Sequence, residues 1–114
     1  MINICPYIEA SFQILGRKWN GQIIHFLSLC KDNTSHFSEI KRDFSSITSR
    51  ALSLKLSELM EYGLIDKMVV GVSPVVISYK LTEKGQELAN ALQPIQEWAQ
   101  HYITIENTGE EKLK

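Results

Sequence analysis

Residues 48–82 read TSRALSLKLSELMEYGLIDKMVVGVSPVVISYKLT, and within them the apolar period changes from that of a helix to that of a strand. Thr48 is a cap and Gly63 a terminator for a helix over about residues 49–62. At roughly 3.6 residues per turn, Leu52, Leu56, Leu59 and Met60 share one side. Arg50, Leu54, Ser57 and Glu61 fall opposite, with Ser53 on the flank, so the outer face is polar and is basic near its start. Beyond Gly63, the stretch from Leu64 to Val70 is rich in β-branched residues. Gly71-Val72-Ser73-Pro74 is a turn signal, and Val75, Ile77, Tyr79 and Leu81 then alternate with Val76, Ser78 and Lys80. This half is a hairpin.

Upstream, Pro6 suits the first turn of a helix, whose face is marked by Ile8, Phe12 and Leu15 up to Gly16. A second helix over about residues 19–30 carries Trp19, Ile23, Phe26, Leu27 and Cys30 on one side. Lys31 to Ser35 is a loop by composition. Ser38 is the expected cap of a short third helix, with Ile40 and Phe44 inward and Lys41 and Arg42 outward. Downstream, Thr82 opens a long final helix with a heptad-like seam of Leu88, Leu92, Ile95, Ala99 and Tyr102, widened by Ala91 and Trp98. Pro94 must kink or divide it. Asn107 to Lys114 is polar and reads as a frayed, flexible tail.

Four helices, a hairpin and a last helix make an α+β, mainly α chain laid out as a winged helix-turn-helix. It has a two-stranded wing and further helices at its N- and C-terminal ends, in a single domain over residues 1–114. In that layout the second helix of the helix-turn-helix enters the DNA major groove. The apolar stripe of the last helix is wider than one small core can cover, which predicts a homodimer.

Composition narrows the function. No apolar run approaches the ~20 residues of a membrane span, and the first residues lack the pattern of a secretion signal, so a cytoplasmic protein with no membrane contact is expected. The net charge of −1 argues against an unselective polyanion binder, but the charges are segregated. Arg17 to Lys55 holds Arg17, Lys18, Lys31, Lys41, Arg42, Arg50 and Lys55 against Asp32, Glu39 and Asp43, while acids predominate from Leu56 onward. Nothing resembles a catalytic triad, a phosphate-binding glycine loop or a paired-carboxylate site, so no enzyme is expected. His25, His36, His101 and the two cysteines lack metal-ligand spacing, so neither metal nor cofactor is expected.

Arg50 is the candidate for base readout, because a guanidinium pairs bidentately with guanine. Ser49 and Ser53 suit bases or phosphates, Leu54 or Ala51 a thymine methyl, and Lys18 and Lys55 phosphates, with Lys41 and Arg42 behind them. The plain alternative is a solvated helix face. Cys5 precedes a helix start, whose free N–H groups favour a thiolate, or it is an inert thiol near a terminus. Cys30 lies on the apolar side of the second helix as a small core residue, or else resolves an oxidised Cys5 of a second subunit.

Several strings in order resemble the HxlR family of small winged-helix transcription regulators, relatives of the MarR type. They are Cys5-Pro6, Gly16-Arg17-Lys18-Trp19, Phe37-Ser38-Glu39-Ile40, the run from Ile47 to Leu59, Gly63-Leu64-Ile65, Pro74, Tyr79 to Gly85, and Trp98. The stretch from Trp19 to His25 behind an N-terminal Cys-Pro is similar to the thiol-based branch. The resemblance implies a homodimeric repressor on a near-palindromic double-stranded DNA operator, with the first and last helices as N- and C-terminal dimerisation helices. It also implies release from DNA when a quinone, another electrophile or an oxidant modifies Cys5. Three positions depart from the family pattern: a wing tip, Gly71 to Val76, without the basic residue often present there, Ser57 in place of a frequent Lys or Arg, and His36 in place of a frequent Arg. All three lower phosphate affinity. Two rival readings are a winged-helix protein-interaction module and a regulator of this fold with a small-molecule or metal trigger.

Overall fold

A computed structural model describes residues 1–105 and 111–113. Its elements are α1 (Pro6–Leu15), α2 (Asn20–Leu29), β1 (Thr34–His36), α3 (Phe37–Asp43), α4 (Ser49–Glu61), β2 (Ile65–Val70), β3 (Val76–Leu81), α5 (Glu83–Ala91), α6 (Gln93–Tyr102), β4 (Ile103–Ile105) and β5 (Glu111–Leu113).

The core lies between α2, α3, α4 and the base of the sheet. Ile23, Ile24 and Leu27 of α2 meet Ile40 of α3, Leu52, Leu56 and Leu59 of α4, and Leu64, Ile65, Tyr79 and Leu81. Each such aliphatic side chain contributes about 1.5–3 kcal/mol by leaving water, so this cluster fixes which face of α4 points outward. Phe44 closes one end, edge-on to both Trp19 and Phe26.

The hairpin is as expected, but the sheet has a third strand, in the order β1-β3-β2. The stretch from Lys31 to Ser35 is therefore not simply a loop. Asp32 and Asn33 adopt positive φ, which short polar side chains tolerate, and the reversal lays Thr34, Ser35 and His36 against Lys80, Tyr79 and Ser78. His36 Nδ1 and Ser78 Oγ stand 2.6 Å apart across this pair.

One helix start corrects the expectation, and one break meets it. α3 is not capped by Ser38: the Glu39 carboxylate accepts the His36 N–H at 2.9 Å, so the helix begins at Phe37. The long final helix is divided into α5 and α6, because Pro94 has no N–H for the preceding turn. Thr48 and Thr82 cap α4 and α5 as their positions suggested, accepting from Ala51 and Gly85 N–H. The expected tail over residues 107–114 lies largely outside the described residues. Within it, Glu111–Leu113 pair antiparallel with Ile103–Ile105.

Candidate nucleic-acid interface and thiol site

With Leu52, Leu56 and Leu59 buried, α4 turns Ser49, Arg50, Ser53 and Leu54 to solvent. Leu54 is 63% exposed on a helix that has a core of its own to fill. Arg50 makes no ion pair among the described residues, so its guanidinium is open to an outside partner. The four residues share one end of one helix face, the arrangement a major-groove reader needs.

The expected phosphate contacts stand differently. Lys18 lies over the Trp19 ring, 5.2 Å from its centroid, at the turn between α1 and α2. Lys55 is half-buried, with Nζ 3.6 Å from Glu58 Oε2, so its charge is already partly answered. Lys41 reaches the Ser45 carbonyl at 3.4 Å. The tip of the wing offers valines in place of cations: Val69, Val70, Val72 and Val75 are exposed, Val72 at 94%, while Lys67 and Lys80 are exposed lower on its strands.

Sequence reasoning missed Asn20, Arg17 and Glu58. Asn20 is fully buried at the start of α2 and donates to the Ile14 carbonyl at 3.0 Å and to Glu58 Oε1 at 3.3 Å. Arg17 pairs with the same carboxylate. Between them Trp19 holds φ 77°, a strained conformation for a bulky side chain. The only signal was a polar residue at the head of an apolar helix.

Cys5 occupies the N-cap position of α1 and is exposed; its carbonyl accepts the Glu9 N–H at 3.2 Å, and its thiol makes no cap bond. Cys30 is half-buried at the end of α2, where Sγ donates to the Phe26 carbonyl at 3.3 Å. Burial pushes the Cys30 thiol up from its ordinary range, a Ser35 hydrogen bond opposes this, and the Glu39 and Asp43 carboxylates add to it. Within one subunit Cys5 stands on an uncovered helix start and Cys30 packs toward Phe26 and Ser35, so the fold does not pair them.

No residue of α1 or α6 is buried. Tyr7, Ile8 and Phe12 on α1, and Ile95, Trp98 and Tyr102 on α6, all face solvent. Among the described residues no three His, Cys, Asp or Glu side chains gather as metal ligands, and no helix is long and apolar enough to cross a membrane.

A helix-turn-helix, a three-stranded winged sheet and an open, polar outer face on α4 define a winged-helix transcriptional regulator. The chain belongs to the HxlR-like helix-turn-helix family, whose pattern it matches over residues 14–107. It is 36% identical over 111 residues to the HTH-type transcriptional regulator YodB of Bacillus subtilis (strain 168), covering 97% of this chain and 96% of YodB. The reduced form of YodB superposes with a TM-score of 0.74, covering 88% of this chain and 95% of that one. Its quinone-bound form gives 0.72, with 86% and 100% covered. The redox regulator HypR in its oxidised form is 32% identical with a TM-score of 0.73, covering 85% and 96%. YodB is by name a transcriptional regulator and HypR a redox regulator.

Proposed function

We propose that this regulator is a homodimeric repressor that holds a near-palindromic operator and releases it when Cys5 is modified. Each subunit sets α4 in one of two major-groove half-sites about a helical turn apart. Arg50 reads guanine, Ser49 and Ser53 bond bases or phosphates, Leu54 meets a thymine methyl, and Lys18 and Lys55 steady the backbone. The observation that carries this reading is the exposed quartet Ser49, Arg50, Ser53 and Leu54 on a helix locked by its leucines.

The trigger is the uncovered Cys5 thiol. Its sulfur adds to a ring carbon of a quinone, forming a C–S bond; the thiol proton and the displaced ring proton end on the two quinone oxygens. The product is a hydroquinone thioether, and no further oxidant is consumed. Two relatives support a redox or electrophile trigger, since YodB has a quinone-bound form and HypR an oxidised one. Cys30 is the less favoured partner, reached only from a second subunit. Operation in the cytoplasm, without cofactor or metal, belongs to the same reading.

The apolar wing favours a second reading, a module that docks on another protein through Val69, Val70, Val72 and Val75. Fluorescence anisotropy of the reduced protein on duplexes from upstream of its own gene separates the two. Tight binding that falls with salt and is abolished by 1,4-benzoquinone supports the thiol-switched repressor. Binding that ignores the quinone leaves a regulator with another trigger. No binding to any fragment supports the protein-docking reading.

A further inference from the structure

The Asn20 side chain ties three helices together. One amide hydrogen goes to the Ile14 carbonyl in the last turn of α1, which also accepts the Arg17 N–H at 3.4 Å, and the other goes to Glu58 on the third turn of α4. Both neighbours are acceptors, so the amide has one possible orientation. Its Oδ1 is left buried without a partner among the described residues. The orphaned oxygen of a fully buried amide works against stability, while its two donated bonds satisfy Ile14 and Glu58. Glu58 adds a second tie by pairing with Arg17 in the turn that follows α1.

α1 has little other support within its subunit. Residues 1–10 are exposed throughout, and only Ser11, Ile14 and Leu15 are partly buried, with Leu15 beside Gly21. A helix of ten residues, about 15 Å long, therefore hangs from its last turn with Cys5 at the far end. Displacing the Cys5 end of such a lever rotates it about the end held within the subunit, where the Ile14 carbonyl lies.

We propose that Asn20 and Glu58 are the positioning pair through which the orientation of α1 sets the orientation of α4. A new group on Cys5 tilts α1, the tilt moves the Ile14 carbonyl, and Asn20 passes the movement to Glu58 and the helix that carries Arg50. This rests on the DNA-binding, thiol-switched reading above.

The test is a ratio. Anisotropy titrations of the full chain on the upstream duplexes, before and after 1,4-benzoquinone saturates Cys5, give two dissociation constants. Their ratio in the wild type is expected to be about tenfold or more. Glu58→Ala is expected to cut that ratio to below about a third of its wild-type value, with the rate of Cys5 modification within about twofold. A merely structural Glu58, or one that acts only by releasing Lys55, would shift the affinity of both states alike and leave the ratio intact, and a ratio above that threshold overturns the proposal. Should Glu58→Ala lack a cooperative melt by circular dichroism, Arg17→Gln at its exposed position decides by the same threshold. A wild type that does not bind DNA overturns the DNA-binding reading, one whose ratio is one overturns the thiol switch, and either overturns the pair with it.

Discussion

The backbone of Gly85 in α5 lies so close to the Leu64 carbonyl oxygen that a β-carbon there would collide with it and press on Leu81. Thr82 draws the two together: its hydroxyl donates to the Gly63 carbonyl at 2.7 Å and its N–H to the Leu64 carbonyl at 3.0 Å. The colliding atom is backbone, with no rotamer to yield. Gly85→Ala is therefore expected to destabilise the fold by about 1–3 kcal/mol. A urea midpoint equal to the wild type's would show that α5 slides away freely.

Arg50 and Lys18 are expected to fail in different ways. Arg50→Ala should cost about 1–3 kcal/mol on the preferred duplex and flatten discrimination between it and base-substituted duplexes. Lys18→Ala should weaken all duplexes alike and reduce the slope of log affinity against log salt by about one. Equal losses on every sequence for Arg50→Ala would reduce it to a phosphate contact.

The two thiols differ in access. Iodoacetamide at neutral pH, followed by mass spectrometry, should label Cys5 at least about tenfold faster than Cys30, whose burial disfavours the thiolate. The difference should vanish in denaturant. Cys5→Ser should bind DNA as the wild type does and ignore quinone; loss of DNA binding in that variant would make the cysteine structural.

Glu39 gives the fold a pH dependence of known sign. The His36 N–H holds its carboxyl below the ordinary range, with smaller help from the His36 charge, Ser35 and Arg42, opposed by desolvation. A carboxyl lowered in the folded state stabilises above its unfolded pKa, and that contribution is lost as pH falls through the folded value. The thermal midpoint should therefore fall with acidification in that range, and less so in Glu39→Gln. Parallel curves for the two proteins would remove Glu39 from the account.

The helix over residues 49–61 and the hairpin were legible because the apolar period itself changes at Gly63. β1 was not, because Thr34-Ser35-His36 is too short and polar to alternate; it exists only because Asp32 and Asn33 turn the chain onto β3. The start of α3 was misread because Ser38 is the better cap by type, while Glu39 selects His36 through its carboxylate. The exposed face of α4 followed from its buried one. The Asn20 bridge was out of reach: a polar residue in an apolar helix announces a partner, but Glu58 lies 38 positions away and nothing local names it.

The uncovered faces of α1 and α6 lead to the last prediction. Phe12 and Trp98 are each 57% exposed, in helices without a single buried residue. Aromatic side chains on both terminal helices are costly in water, and two copies can bury them against each other. Phe12→Glu and Trp98→Glu should each shift sedimentation from dimer toward monomer, whereas Leu54→Glu, at a somewhat more exposed position on α4, should remain dimeric. A monomer holds one half-site, so the two interface variants should also lose about 100-fold or more in affinity for a two-site duplex, while a single half-site is bound as weakly as by the wild type. The pairing of the two losses is the discriminating feature. Variants that stay dimeric would assign those aromatics to some other partner, and variants that become monomeric without losing affinity would detach the dimer from DNA recognition.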